Sequence, residues 1–414
     1  MTISATTHDR VKQAFDRYID EFHGYYAPWT FDKPITSSLE TTNDLKAVGL
    51  ALNKVIKHVG INFLSQGYEQ LMPVSDRARR VFEIFNQRSS YDVGSFRTDF
   101  VFDQAKVPKL IEITCRFALN GYFEAAVFNQ FSKEHALELG VDAHRVEEYD
   151  AFQSFMADKI GASNRVCIVV RDGKPQSSRY YAPIFQASGI EVNEVHFQEL
   201  ASGASFMKDA LVISEIGLNE IELLSDSDLE LLAGSNLIND FRTVFTAHDK
   251  RFFELLNNKT IQRAALDASE RGLLQRYLIE TRAFSESGSD LDELQANKDR
   301  WVLKHARLGK SKDIYAGLEF EQAEWESLLG TLDLKQFILQ EWVPQRRFKG
   351  TVSGVEFDDY LTGTLKYFDD AYFGLGLFRS SSHIITNKVD DRKMFPLVMR
   401  SHEHLRDIPS VFSF

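Results

Sequence analysis

Asp99, Glu112 and Thr114 are oxygen ligands carried on two short runs of strand character, SFRTDFVF and PKLIEITCRF. In the second run Leu110, Glu112, Thr114 and Arg116 alternate with Ile111, Ile113 and Cys115. Glu112 and Thr114 therefore share one face of a strand, about 7 Å apart. If the two runs pair, the three side chains converge. Carboxylates meeting beside nucleotide phosphates form the kind of ligand set that holds Mg²⁺. Arg97, two residues before Asp99, falls on the same face. The pattern describes equally well an Arg–Asp ion pair on a surface hairpin.

A second constellation lies at WVLKHARLGKSKDIYAG, residues 301–317. Four residues of strand character end on Lys304, and a turn with Gly309, Lys310, Ser311 and Lys312 follows. Such a lysine can reach an inner phosphate as a point charge, while the turn's N–H groups and side chains cover the outer phosphates. A solvated lysine at a strand edge is the competing interpretation. Lys259 precedes this strand. Downstream, FILQEWVP carries Gln340, Glu341, Trp342 and Val343, whose backbone can face an adenine edge. Together these residues make a plausible ATP cleft.

The elements that must position them form an α+β to α/β chain. At 414 residues, 43% hydrophobic and 26% charged, it is long enough for two or three packed units. Its 33 phenylalanines favour large cores and aromatic pocket walls. The net charge of −12 argues against nucleic acid or an anionic membrane as the main partner. No apolar run approaches the roughly 18 residues a membrane span needs. Two cysteines, Cys115 and Cys167, make no disulfide framework, and with no signal-like h-region the expectation is cytoplasmic.

Helical spacing predicts amphipathic helices over residues 8–26, Asn43 to Gly60 and Ser75 to Gln87, and another from about Tyr122 to Leu139. From Asn164, RVCIVV reads as a short buried strand and EVNEVHF and ALVISEI as two more, with a helix over Ser178 to Ser188, a wound α/β unit lacking G-x-G-x-x-G. One helix is expected over DKRFFELLNNKTIQRAAL, a polar loop over SESGSDLDELQANKD, a helix over EQAEWESLLG, and a meander of TGTLKYF, GLGLFRSS and HIITNK. The divisions expected are 1–160, a helical region plus the carboxylate strand pair; 161–248, the wound substrate domain; and 249–414, the nucleotide unit.

Taken in order, these blocks resemble the circularly permuted ATP-grasp ligases, with local similarity to eukaryotic-type glutathione synthetases and glutathionylspermidine synthetase-like folds. RTDFVFDQAKVPKLIEITCRFALNGYF is similar to that family's arginine-x-aspartate strand and the E-x-N strand after it. LLNNKTIQRAAL resembles the helix with the first ATP lysine, VLKHARLGKSKDIYAG the strand, second lysine and glycine-rich loop, and residues 341–343 the adenine connection. The resemblance implies ATP contacts from Lys259 and Lys304, backbone contacts to adenine from Glu341 and Val343, Mg²⁺ on Asp99, Glu112 and Thr114, and Arg97 over the reacting carboxyl. Arg379 and Asn387 fall in a segment similar to the late strands flanking the site. Two departures stand out. Thr114 replaces an asparagine, and Leu308, Gly309, Lys310 and Ser311 occupy the place of an acidic ligand and its glycines.

The activity implied is ATP-dependent carboxylate–amine ligation through an acyl phosphate, on an amino acid or small peptide-like substrate. The partners expected are small-molecule carboxylates and amines, with no nucleic acid or membrane, and a homodimer is left open. Two alternatives share the cleft: phosphoryl transfer to a hydroxyl, and a nucleotide-binding scaffold whose metal set has decayed. A His402-x-His404 pair has no third ligand at useful spacing and reads as a surface tail.

Overall fold

The computed structural model describes residues 26–119, 146–173, 178–284, 289–309, 311–386, 388–389, 391, 393–395, 397–400 and 412–414, with six single positions elsewhere. The expected helices over residues 8–26 and 122–139 lie largely outside these residues, and Lys310, Asn387, His402 and His404 lie wholly outside them. Among the described residues no helix is long and apolar enough to cross a membrane.

The chain begins with β1 (Ile35–Ser38), α1 (Leu39–Asn62) and α2 (Asp76–Phe85), then the hairpin of β2 (Ser95–Phe102) and β3 (Pro108–Thr114). After α3 (Val146–Ile160) comes a wound unit: β4 (Arg165–Val170), α4 (Ser178–Ala187), β5 (Glu191–His196), α5 (Leu200–Met207), β6 (Leu211–Ser214), α6 (Leu218–Leu223), α7 (Asp226–Ala233) and β7 (Asn236–Ile238). Helices α8 (Phe241–Ala247), α9 (Phe252–Asn257), α10 (Lys259–Ala265) and α11 (Ala268–Tyr277) lead into β8 (Thr281–Ala283), α12 (Ser289–Ala296), β9 (Trp301–His305), β10 (Ile314–Ala316), α13 (Gln322–Leu329) and β11 (Phe337–Glu341). The chain closes with β12 (Phe348–Val352), β13 (Val355–Phe368), β14 (Ala371–Leu375), β15 (Arg379–Ser381), β16 (Lys393–Met394), β17 (Leu397–Arg400) and β18 (Phe412–Ser413).

Four sheets result. The largest has the order β16-β15-β13-β2-β3, with β12 and β14 added along β13. Strand β13 pairs with β2 from Thr362↔Val101 to Phe368↔Ser95, so the early hairpin and the late meander make one sheet. Strands assigned by sequence to the intervals 1–160 and 249–414 are thus continuous in hydrogen bonding. The second sheet, β10-β9-β11-β8, is antiparallel. The third, β5-β4-β6-β7, is wholly parallel; its central strands β4 and β6 are the apolar, buried runs, while β5 at the edge is partly open to solvent. A small sheet, β17-β1-β18, completes the set.

Helix α1 backs the large sheet. Ser38 caps it by accepting from the Thr41 N–H at 3.0 Å, and Leu45, Val48, Leu52, Val55 and Ile56 form its buried stripe. Gly49 lets it approach closely, because a Cβ there would lie 1.7 Å from the Tyr367 ring. That ring cannot give way: it stacks on Phe96 at 4.9 Å and its hydroxyl donates to the Leu45 carbonyl at 2.8 Å. Gly49→Ala gains roughly 1 kcal/mol of helix preference but overpacks a rigid contact, typically costing about 1–3 kcal/mol. The expected outcome is a lower urea midpoint at unchanged m-value.

Three local expectations are corrected. The polar loop before β9 contains α12, with Asp290 and Asp292 in its first turn. HIITNK forms no strand among the described residues; His383 to Thr386 run as bends. The single helix expected over residues 249–266 is broken, because Asn258 turns its side chain onto the N–H groups of Thr260 (2.9 Å) and Ile261 (3.3 Å) and starts a new helix.

Candidate functional site

A cavity of about 530 Å³ lies between the face of the large sheet carrying β2, β3 and β15 and one face of the four-stranded antiparallel sheet, at its central strands β9 and β11. That volume is in the range of small-molecule sites. From the hairpin come Arg97, Asp99, Glu112 and Thr114; from β9 and its turn come Lys304, Gly309 and Ser311; from β11 and beyond come Gln340, Glu341, Trp342 and Val343. Arg116, Gln345, Thr362, Arg379, Thr386 and Lys388 add to the polar wall, with the Phe117 ring beside Arg116. Residues from the first and last thirds of the chain thus share one cleft.

Pairing of β2 with β3 sets Asp99 opposite Glu112 and Arg97 opposite Thr114. The register slips between Asp99 and Phe100, a bulge that places Leu110 opposite Phe100. Strict alternation puts Leu110 on the carboxylate face; instead Leu110 joins the core with Ile113 and Cys115, and Ile111 lines the cavity beside Glu112. A bulge adds one residue to one strand and so changes which face every earlier side chain takes. Cys115 is buried, as alternation predicts, with its thiol 3.3 Å from the Thr243 carbonyl and its pKa raised by burial.

Asp99 is held by guanidiniums. Arg97 donates from Nε to Oδ1 at 2.7 Å and from Nη2 to Oδ2 at 3.3 Å, and Arg379 donates to Oδ2 at 2.8 Å. The Arg–Asp pair therefore exists, but in the cleft and not on a surface hairpin. Glu112 is 3.3 Å from the ammonium of Lys250. Burial pushes the Glu112 carboxyl up, but Lys250, Lys304 and Arg97 together outweigh that and hold it below the usual range.

Lys304 donates to Gln340 Oε1 at 2.6 Å and to the Ile111 carbonyl at 3.3 Å. Burial is the main reason its pKa is lowered to about 8; Lys250 adds to the shift, while Glu112 and Asp99 oppose it. His248, buried behind these cations, is held well below its ordinary pKa by desolvation and then by Arg116 and Lys250. It is a neutral neighbour of the site.

Lys250 went unread in the sequence. It is 2% exposed, lies against Glu112, and donates to the Leu308 carbonyl, clamping the turn after β9. Lys259 was expected here and is not: it opens α10, exposed and outside the cavity lining, because Asn258 restarts the helix. Lys312 is exposed too, and Ser311 donates its hydroxyl to the Thr386 carbonyl at 2.7 Å. Of the adenine-edge residues, Glu341 and Trp342 spend their N–H groups on Glu280 (2.9 Å) and Arg300 (2.7 Å). The N–H of Val343, on the cavity wall, has no acceptor among the described residues.

Both oxygens of Asp99 accept from arginines, and Glu112 faces two lysines, so a divalent cation would meet committed lone pairs and like charge. Asp99, Glu112 and Thr114 converge as expected, yet in this arrangement they do not fit a resident Mg²⁺. The surplus of cations fits an anionic ligand.

A family model described as the AnkG N-terminal domain matches residues 48–246. That span begins in α1 and ends in α8; it includes the hairpin and the parallel sheet, and stops short of Lys250 and Lys304. No curated protein matches the chain.

Proposed function

We propose that the cleft binds ATP and that the protein is an ATP-grasp-type carboxylate–amine ligase. The observation that carries the reading is the meeting of Lys304 with the Glu112 hairpin in a cation-lined cavity between two sheets. The backbone at Glu341–Val343 would take the adenine edge through the open Val343 N–H. Lys304, Arg97 and Arg379 would neutralise the phosphates. The order of the sequence blocks, similar to permuted ATP-grasp ligases, supports the same assignment.

In this chemistry a substrate carboxylate oxygen attacks the γ-phosphorus, releasing ADP and leaving an acyl phosphate. An amine then attacks the acyl carbon, phosphate departs, and the amine's proton is lost as the amide forms. Positioning and charge neutralisation carry such a sequence, and it needs no protein nucleophile. Arg97 and Arg379 would stabilise the negative charge of the tetrahedral intermediate. The test is ADP release with mixtures of amino acids and amines, with the γ-phosphate isotopically labelled. Label appearing as inorganic phosphate supports ligation; label in a phosphorylated product indicates phosphoryl transfer.

One observation favours a second reading, ATP binding without turnover: Asp99 and Glu112 are already neutralised by protein cations. ATP affinity with no ADP release under any substrate mixture is its signature.

The pKa of Lys304 supplies a pH test. Its ammonium is present below about pH 8 and lost above it. Bound phosphate raises that pKa, so affinity is flat below about pH 8 and then falls by up to about tenfold per pH unit. Lys304→Arg should abolish the fall, since a guanidinium stays charged. A wild-type profile flat to about pH 9.5 removes Lys304 from the phosphate contact.

A further inference from the structure

Arg97 and Arg171, the guanidiniums flanking Arg116, have carboxylate partners. Arg97 bonds Asp99, and Arg171 bonds Glu220 at 2.9 Å. Arg116, on the cavity wall between them, has no hydrogen bond or ion pair among the described residues. It lies over the Phe117 ring at 5.3 Å, and Arg171 shares that ring at 4.8 Å. On its other side is Gly309, where an added Cβ would come within 2.6 Å of Nη2. Desolvation lowers its pKa, with Arg171 and Arg97 adding to the shift and the Glu112 carboxylate opposing it. A half-buried guanidinium with no direct partner still carries a desolvation cost, and an anionic ligand would remove it.

The backbone is shaped to hold it there. Phe117 is 5% exposed and adopts φ 58°, a left-handed conformation that a bulky residue rarely takes. That corner turns Arg116 and Phe117 together into the cavity. The next residue, Ala118, donates its N–H to the Ser214 carbonyl at 3.4 Å, at the carboxyl end of β6. In the order β5-β4-β6-β7 the chain winds outward from β4 in both directions, so the carboxyl ends of β4 and β6 are the switch point of the parallel sheet. Ligands of wound sheets bind at such crevices.

We propose that Arg116 docks a non-reacting carboxylate of the second substrate, and that this substrate is a dicarboxylic acid bound where the cleft meets the β4–β6 switch point. The proposal rests on the ligase reading and names the substrate class for it. Arg116's planar fork matches a carboxylate bidentately, Phe117 and Gly309 fix its plane, and the substrate's other carboxylate is left facing the phosphate end of the cleft.

The test uses isothermal titration of the full chain with three separate probes: glutarate, its monoamide glutaramate, and ATP. Glutarate should bind at least about tenfold more tightly than glutaramate, the loss of one charged hydrogen-bonded contact. Arg116→Gln should weaken glutarate about 10- to 100-fold and leave ATP within about twofold, with Arg116→Lys recovering part of the loss. Should Arg116→Gln fail to fold, Gly309→Ala displaces the guanidinium from the opposite side and must also weaken glutarate. Equal affinity for glutarate and glutaramate overturns the proposal, as does no saturable glutarate binding up to about 10 mM. Loss of ATP affinity in place of glutarate affinity makes Arg116 a nucleotide contact and overturns it too, and so does Arg116-dependent binding of inorganic phosphate with glutarate silent. Arg116-dependent glutarate binding without ATP binding leaves the acidic subsite standing and removes the ligase reading.

Discussion

Lys304→Met should lower ATP affinity about 100-fold, the loss expected for a charged contact to phosphate in a dry site. The same variant should change stability by no more than about 1 kcal/mol, because relief of a desolvated ammonium offsets the acceptors left open on Gln340 and Ile111. In the folded protein the Lys304 pKa is about 8, below its ordinary value of 10.5, because burial disfavours the ammonium. Between those two values the unfolded chain binds more protons, so this group makes stability rise with pH from about 8 to about 10.5. Below about pH 8 its charge is a cost to the fold, and methionine relieves it while filling similar volume. Weaker ATP binding at a nearly unchanged melting temperature separates a ligand contact from a structural one. ATP affinity equal to wild type would remove Lys304 from the site, and the nucleotide assignment with it.

Lys250→Met has the opposite signature and the largest expected effect on stability. Its ammonium is the nearest cation to Glu112 and also holds the Leu308 carbonyl. Removing it takes the nearest cation from Glu112, leaving the more distant Lys304 and Arg97, and orphans a carbonyl in the turn after β9. Breaking a buried pair from one side costs about 3–5 kcal/mol. Urea unfolding should show that loss, and the double variant Lys250→Met with Glu112→Gln should recover most of it, since no uncompensated carboxylate remains. A double variant as unstable as the single one would assign the loss to packing. A second consequence distinguishes the two lysines. Lys250 helps hold the Lys304 pKa down, so in Lys250→Met the pH at which ATP affinity begins to fall should move upward.

The two lysines also show why the sequence was readable in one place and silent in another. Lys304 ends an apolar strand beside a glycine-bearing turn, and that local pattern carries a phosphate interpretation by itself. Lys250 sits in HDKRFF with no such context, and its partner Glu112 lies on a hairpin far earlier in the chain. Lys259 rested on the resemblance of LLNNKTIQRAAL to a lysine-bearing helix, and it lies outside the cavity lining. The motif assumed one continuous helix, and the capping preference of Asn258 ended it one residue too early.

Arg116 stands between these cases. Alternation along β3 put it on the face of Glu112 and Thr114, and the cavity confirms that placement. Nothing local said that it, unlike Arg97 and Arg171, would have no bonded carboxylate, because Asp99 and Glu220 are shared out by tertiary contacts.

What the amino-acid sequence determined by itself is the set of elements whose signals are local. These are the α1 stripe, the paired runs that became β2 and β3, the apolar strands of the parallel sheet, and Lys304 at its strand end. Period, capping and turn chemistry act over a few residues and can be read without a partner. Tertiary structure alone decided that β13 joins the early hairpin to the late meander, that a bulge sends Leu110 inward and Ile111 to the cavity, and that Asp99 and Glu112 face cations. Those outcomes depend on register and on charges brought together across hundreds of residues, where burial makes each pairing strong and nothing nearby in the chain announces it.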